Sequence, residues 1–556
     1  MLSHANETSR AVCTLASSVS RSGTQRRSTR ASSVSGVLPA AMLVWLAAAC
    51  GQRYEIGEVE KPLDLSDETA SADTIATLIA KGPQDVDIAV AQQISFTGIG
   101  DVDGDGYDDL ITDDGQQLVY GGPRPTGATF PEAGAPLTIF SGSQDPLVQD
   151  LYTIELSPRA AGDVDGDGFA DILFESRIQP TMDPRFGGAA EWPTQRAYLW
   201  YGRSERPIGE VLLEQDGVAF DALDSVRERL PVGDPPFDMY QQLGLAGLGD
   251  IDGDGFDDIA YSYTFNGRNA EPATRFAPPP LESVTLIYYG GPERLPSRGA
   301  TDLPVPEIPG AMSTRGIADI DGDHRADFWL AQADGQSFII AGAAERLSGQ
   351  SSAAALGMPV HEVSVMSDLH GVGDLDRDGI DDFIIFRTDA EPMASLYYGD
   401  ASRTATAIDG ELADATFQTP KGYFNISSLG DWNADGFADL MLVQRAPPSE
   451  VEVRHSELLK AEARVIPGRA ERYSGDYSYQ PLDPELAPRD WTQSGGPVDG
   501  YPIGDIDGDG FADVQLTLSR IVPDYGAPGH FPLGEGYSLD FQPFIKYGGR
   551  LTTVIH

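Results

Sequence analysis

The chain has 556 residues, 41% of them hydrophobic, and its 62 Gly and 40 Pro suit a turn-rich all-β protein better than a helical one. Against 38 Lys and Arg stand 86 Asp and Glu, a net charge of -48. That excludes the clustered basic surface nucleic-acid binding requires and disfavours anionic membrane surfaces, leaving the acid as solvated surface or as cation sites.

Residues 1–49 read as an export signal. Arg21, Arg26, Arg27 and Arg30 form a basic region, and Val37 to Ala49 an apolar stretch too short for a comfortable membrane span. It ends in Leu46-Ala47-Ala48-Ala49-Cys50, which resembles a bacterial lipobox, with the leucine four residues before the cysteine where three is usual. The expectation is lipidation of Cys50 and an outer-membrane or cell-surface lipoprotein, since Gly51 is not the Asp that retains lipoproteins at the inner membrane. Periplasmic location or plain secretion is the alternative. Cys13 and Cys50 are the two cysteines, so a chain cut before Cys50 has no disulfide to staple it. Residues 50–88, rich in Pro, Ser, Thr and acid without a period, read as anchor and flexible tether, and 89–556 as the folded domain.

Within that domain one nine-residue pattern occurs seven times. Loop one is Asp101-Val102-Asp103-Gly104-Asp105-Gly106-Tyr107-Asp108-Asp109; the others begin at Asp163, Asp250, Asp319, Asp374, Asp431 and Asp505. Calcium takes six to eight oxygens at roughly 2.3–2.6 Å from a tightly curled loop. Positions 1, 3, 5 and 9 supply carboxylates. They are Asp101, Asp103, Asp105 and Asp109; Asp163, Asp165, Asp167 and Asp171; Asp250, Asp252, Asp254 and Asp258; and Asp319, Asp321, Asp323 and Asp327. Then come Asp374, Asp376, Asp378 and Asp382; Asp431, Asn433, Asp435 and Asp439; and Asp505, Asp507, Asp509 and Asp513. Position 7 offers its backbone carbonyl, so its side chain is free to vary: Tyr107, Phe169, Phe256, Arg325, Ile380, Phe437 and Phe511. Gly at position 6 permits the sharp turn. An EF-hand would need a Glu at position 12 and flanking helices, and neither is present.

Strand-like runs flank every loop. A Gly-apolar-Gly approach precedes it, as in Gly98-Ile99-Gly100, and an apolar run such as Ile172-Leu173-Phe174 or Phe383-Ile384-Ile385-Phe386 follows. A third run ends in Gly, often after Tyr, as in Tyr198-Leu199-Trp200-Tyr201-Gly202. The residues leading to the next loop leave room for a fourth strand. Each repeat is therefore expected to be a four-stranded antiparallel sheet that must stack on its neighbours, and the fold a seven-bladed β-propeller with a calcium loop in each blade.

The seven units resemble the FG-GAP repeats of integrin α-chain propellers and, more closely, bacterial FG-GAP-like proteins. The resemblance covers roughly residues 90–556. It implies calcium at positions 1, 3, 5, 7 and 9, up to seven ions, and a monomeric propeller. The Gly-Ala-Pro triplet that names the family is missing after the second strand. Loop four has His324 where Gly is expected and Arg325 at position 7, which makes it the weakest case. In loop six Asn433 replaces a carboxylate with an uncharged amide oxygen.

Seven like sites in a chain without disulfides read as structural staples. The seven His form no His-x-x-x-His pair and there is no Gly-x-Ser-x-Gly elbow, so catalysis has little footing. The reading is a binding scaffold for adhesion, assembly, or recognition of a protein or carbohydrate; the alternative is a lyase or hydrolase acting on the face opposite the calcium loops. The second-to-third connections point to that opposite face. They are expected to be long at Glu175 to Arg196, Ser262 to Val284, Gln444 to Glu462 and Thr517 to Gln542, and short at Thr112 to Gln117 and Ala331 to Gln336. Three long ones carry aromatics that make a candidate ligand surface: Phe186 and Trp192; Tyr263, Phe265 and Phe276; Tyr525, Phe531 and Tyr537.

Overall fold

Every Asp-rich segment is the turn of a β-hairpin. The structure is a computed structural model. It describes residues 76–78, 88–90, 95–123, 129–130, 137–140, 152–180, 194–207, 209–220, 242–266, 281–295, 305–332, 334–360, 368–387, 393–405, 407–408, 413–418, 423–433, 435–445, 461–478, 497–523, 531–534 and 537–548. The chain divides into two units, 1–63 and 64–556, and all described residues lie in the second. The signal-like segment and Cys50 lie outside them.

Seven sheets result, one per loop. Sheet one pairs Phe96–Gly100, Asp109–Thr112, Gln117–Val119 and Leu137–Phe140 in order, with Glu210–Leu212 added parallel at the outside. Sheet two runs Tyr152–Gly162, Asp171–Pro180, Thr194–Trp200, Val218–Phe220; sheet three Gln242–Gly249, Asp258–Asn266, Leu281–Tyr288, Glu307–Pro309. Sheet four runs Ala311–Ala318, Asp327–Gln332, Ser337–Ile340, Met358–Val360; sheet five Asp368–Gly373, Asp382–Arg387, Met393–Tyr397, Ala415–Gln418, with Gly475–Ser478 parallel outside. Sheets six and seven draw their fourth strands from far upstream. Tyr423–Gly430, Asp439–Arg445 and Ala461–Ile466 take Ala76–Leu78, while Pro497–Gly504, Asp513–Pro523 and Tyr537–Lys546 take Ile88–Val90. The stretch around Ala76 is thus paired, where a free tether was expected; Ala76-Thr77-Leu78 sits in an apolar run able to cover an open sheet edge.

The central strands explain why the sequence there is apolar without alternation. Ile172 and Phe174 pack toward sheet one and Leu173 toward sheet three; Phe383 and Ile385 pack toward sheet four, Ile384 and Phe386 toward sheet six. A strand covered on both faces has no polar face to show. Buried clusters of this kind join sheets one and two, two and three, three and four, four and five, five and six, and seven and one. The first strands touch in the order one to seven, and that of sheet seven touches that of sheet one. Among the described residues the helices are single turns, Leu213–Asp216 and Ala353–Leu356, and no helix is long and apolar enough to cross a membrane.

The hairpins run further than the apolar runs suggested. Tyr263 and Phe265 belong to Asp258–Asn266, Phe531 to the short strand Phe531–Gly534, and Tyr537 to Tyr537–Lys546, so these four are strand residues and not loop residues. Cross-strand pairing continues through Ser, Thr and charged positions, as Thr264 opposite Ser283 shows. Phe186, Trp192, Phe276 and Tyr525 lie outside the described residues. The short turns stand as expected, between Thr112 and Gln117 and between Gln332 and Ser337.

Candidate metal-binding loops

Each loop is built the same way from its first residue. The residue before position 1 has positive φ and faces position 9 across a β-bulge, as Gly100 faces Asp109 and Gly162 faces Asp171. Position 1 then gathers the loop's own amides. Asp101 Oδ1 accepts from the Gly104 N–H at 2.6 Å and its Oδ2 from the Gly106 N–H at 2.8 Å, with the same pattern at Asp250. Positions 3 and 5 each accept from the amide two residues on, Asp105 to Asp103 and Tyr107 to Asp105, position 3 of loop two excepted. These bonds curl the backbone and leave the carboxylates converging.

Position 9 does more than close the loop. Asp109, Asp171, Asp258, Asp327, Asp382, Asp439 and Asp513 have no exposed surface. Their Oδ2 atoms accept the N–H of position 2, and their Oδ1 atoms the N–H of the glycine ending the third strand: Gly121, Gly202, Gly290, Gly342, Gly399, Gly468 and Gly548. One carboxylate thereby pins the first turn to the end of the third strand. Burial pushes these carboxyls up, to about 7 at Asp109, Asp327, Asp382 and Asp439 and about 8 at Asp171, Asp258 and Asp513, against the lowering effect of the two amides.

The sites are also joined to one another. Position 8 of loops one to six donates its N–H to the position 1 carbonyl of the preceding loop: Ala170 to Asp101, Asp257 to Asp163, Ala326 to Asp250, Asp381 to Asp319, Ala438 to Asp374, and Asp108 of loop one to Asp505 of loop seven. Where position 8 is Asp, its Oδ2 also accepts the N–H of that preceding position 1, at 2.7 Å for Asp108 with Asp505 and for Asp257 with Asp163. Position 7 side chains vary in type, as expected, but several share one seat against position 4 of the preceding loop. Phe169 packs against Gly104 and Phe256 against Gly166, where a Cβ would meet the ring at 2.3 Å. In loop five position 4 is Arg377, and its guanidinium stands over the Phe437 ring at 6.0 Å.

A second repeated motif, missed in the sequence reading, completes the site. Gly-x-x-Glu-Arg follows the third strand at Gly202 to Arg206, Gly290 to Arg294, Gly342 to Arg346 and Gly468 to Arg472. Each arginine reaches the loop of the preceding sheet and bridges positions 3 and 5: Arg206 with Asp103 and Asp105, Arg294 with Asp165 (2.5 Å) and Asp167 (3.0 Å), Arg346 with Asp252 and Asp254, Arg472 with Asp376 and Asp378 (2.5 Å). Its recurrence was visible; its partner, 90 or more residues upstream, was not.

In loops one to five, three carboxylates each bring one oxygen within 4.8 Å of the others: Asp101, Asp103 and Asp109; Asp163, Asp165 and Asp167; Asp250, Asp252 and Asp254; Asp319, Asp321 and Asp327; Asp374, Asp376 and Asp382. Loop four keeps the turn despite its substitutions, because His324 takes φ 67° and still donates its N–H to Asp319. In loop six the Asn433 Oδ1 accepts from the Asp435 N–H and its Nδ2 donates to Asp439 Oδ1 at 3.3 Å. Asp165 shows the fit to a cation most directly. Its side chain is 5% exposed, Arg294 holds one oxygen, and the buried Oδ1 has no hydrogen-bond partner. A buried carboxylate oxygen without a partner, in a cluster of three carboxylates, suits a hard divalent cation.

No family model matches the chain, and no curated protein matches it. Among solved structures it is similar to two crystal structures of BBS1N in complex with ARL6DN, one soaked with mercury and one with lead. Both are 8% identical and cover 72% of this chain, with 99% and 98% of theirs covered and TM-scores of 0.22 and 0.23, a likeness too slight to argue from.

Proposed function

We propose that the seven sheets are the blades of one closed β-propeller, stapled by divalent cations in the Asp-rich loops, and that this rigid body is an extracytoplasmic scaffold for recognising a protein or carbohydrate. The cyclic order of first-strand contacts supports closure. The observation that carries the cation reading is the orphaned Oδ1 of Asp165. Calcium is the ion favoured by chemistry: several carboxylates and carbonyls on a flexible loop suit its six to eight oxygens, whereas Mg²⁺ keeps water and demands an octahedron. Bound there, the ion would neutralise converging carboxylates and tie the loop to the sheet beneath. Export is supported by the signal-like residues 1–49.

The stabilisation is large in aggregate. An ion at tenfold its Kd contributes about 1.4 kcal/mol per site. Seven such sites give on the order of 10 kcal/mol, as much as the stability of a typical domain. Full-length protein melted in millimolar calcium and in excess chelator is expected to differ in Tm by many degrees, with calorimetry counting several ions per chain. Superimposable melts and no bound calcium would refute the cation reading.

Recognition is assigned to the end of the sheets away from the loops. Support comes from the long second-to-third connections there, 181–193, 267–280 and 446–460, carried on rigid paired strands. Shortening them to the length of the Thr112–Gln117 turn is expected to abolish partner binding while the calcium-dependent melt persists. Undiminished binding would place the surface elsewhere.

A further inference from the structure

The bridging arginines do something that the loops' own sequence does not explain. Each is held by the carboxylates and the tyrosine of the preceding sheet. Its guanidinium bridges positions 3 and 5 of the preceding loop. It lies over that sheet's tyrosine, Arg206 over Tyr120 at 4.6 Å, Arg294 over Tyr201 at 4.5 Å, Arg346 over Tyr289 at 4.8 Å and Arg472 over Tyr398 at 4.8 Å. In three cases the next residue's N–H donates to the same tyrosine's hydroxyl: Leu295 to Tyr201 at 2.8 Å, Leu347 to Tyr289 at 2.9 Å and Tyr473 to Tyr398 at 2.8 Å. The position 3 carboxylates so engaged are 3–5% exposed, where an uncompensated charge is most costly.

Loop four is built otherwise. The tyrosine position of its sheet is Ala341, and sheet five follows with Gly399-Asp400-Ala401-Ser402-Arg403-Thr404. Arg403 turns back to Asp414 at 2.6 Å and to the Tyr398 carbonyl. The Thr404 hydroxyl takes Asp321 instead, and the loop's own Arg325 takes Asp323 at 2.7 Å. Among the described residues no arginine of the next sheet reaches loop four.

We propose that Arg206, Arg294, Arg346 and Arg472 are resident counter-cations: they hold loops one, two, three and five in shape when no metal is bound, so that among loops one to five dependence on the metal is concentrated in loop four. The guanidinium fork spans two carboxylates that would otherwise repel, and it does so from the neighbouring sheet, so the same contact clamps the sheet-to-sheet junction. It takes Oδ2 of positions 3 and 5, as at Asp103 and Asp105, and leaves Oδ1 to the loop's own amides or, at Asp165, unpaired. This rests on the cation reading above for the role of the metal, though not for the role of the arginine.

Hydrogen–deuterium exchange on the full chain, in calcium and in EDTA, tests it. In wild type, transfer to EDTA is expected to speed exchange at least tenfold across 319–327 and less than threefold across 250–258. In Arg346→Gln, 250–258 joins the metal-dependent class, at least tenfold faster in EDTA and restored by calcium; Arg346→Lys, which keeps the charge, recovers part of the protection. If Arg346→Gln leaves 250–258 within threefold of wild type in EDTA, or speeds it equally in calcium and in EDTA, the arginine is only a packing residue and the proposal falls. If calcium protects no loop of wild type, it is the cation reading that fails. The difference between the Gln and Lys variants in EDTA still judges the counter-cation.

Discussion

The residue before position 1 offers two substitutions of opposite sense at equivalent places. Gly162 has φ +82° and Ala318, its counterpart in loop four, φ 66°. Gly162→Ala places a Cβ 2.0 Å from Asp257 Oδ2 and 2.5 Å from its Cγ. Asp257 must swing away and release the Asp163 N–H it accepts at 2.7 Å. Left-handed strain costs about 1 kcal/mol and an abandoned, partly buried donor about 1–3 kcal/mol, so the loss is about 3 kcal/mol. Ala318→Gly removes the same strain at the expense of a freer unfolded chain, a net gain of about 0.5 kcal/mol. Urea titrations followed by tryptophan fluorescence and by circular dichroism, with coincidence of the two checked first, measure both. A loss below 1 kcal/mol for Gly162→Ala, or a destabilised Ala318→Gly, would refute the argument that the bulge before each loop is conformationally taxed.

Two further outcomes follow from single groups. Tyr120 Oη is buried without a partner because the residue after Arg206 is Pro207, which has no N–H, whereas Tyr201 Oη accepts from Leu295. Tyr120→Phe is therefore expected to be neutral to about 0.5 kcal/mol stabilising and Tyr201→Phe to cost about 1–2 kcal/mol, in the same titration; equal effects would contradict it. The position 9 carboxyls, raised by burial to about 7 or 8, bind protons more tightly folded than unfolded. Their contribution to the metal-free chain is complete below about pH 4 and is lost as pH rises toward 8, so stability in EDTA should fall over that window. Calcium holds the carboxylates ionised, so its binding at pH 7 should release protons, seen as a binding heat that varies with buffer ionisation enthalpy; no such variation would mean these groups are already ionised.

What could be read from the sequence was whatever chemistry fixes at short range. Oxygen ligands and tight-turn amides must sit at set offsets, so all seven loops stood out, and the Tyr-Gly ends of the third strands with them. Long-range pairing left weaker marks. Nothing local joins Arg206 to Asp103 or Ala76 to Val465, although Gly-x-x-Glu-Arg recurs plainly enough to have been noticed. Strand ends were misplaced because hairpins continue through Ser, Thr and charged residues once the first pairs are set, which drew Tyr263 and Phe265 into a strand. Position 7 was taken as free because its ligand is a carbonyl; its side chain is constrained by a neighbour's glycine, invisible without the stacking.

Sheets six and seven have an implication for when the protein can fold. Ala76–Leu78 needs Ala461–Ile466, and Ile88–Val90 needs Tyr537–Lys546, so strands made early wait for partners made last. Closing loops of that length delays the pairing entropically, and each edge stays open meanwhile. A chain emerging amino end first can assemble sheets two to five as it goes, but completes the molecule only once the whole of it has been delivered. A truncation near the amino end therefore leaves incomplete two sheets built at the carboxyl end.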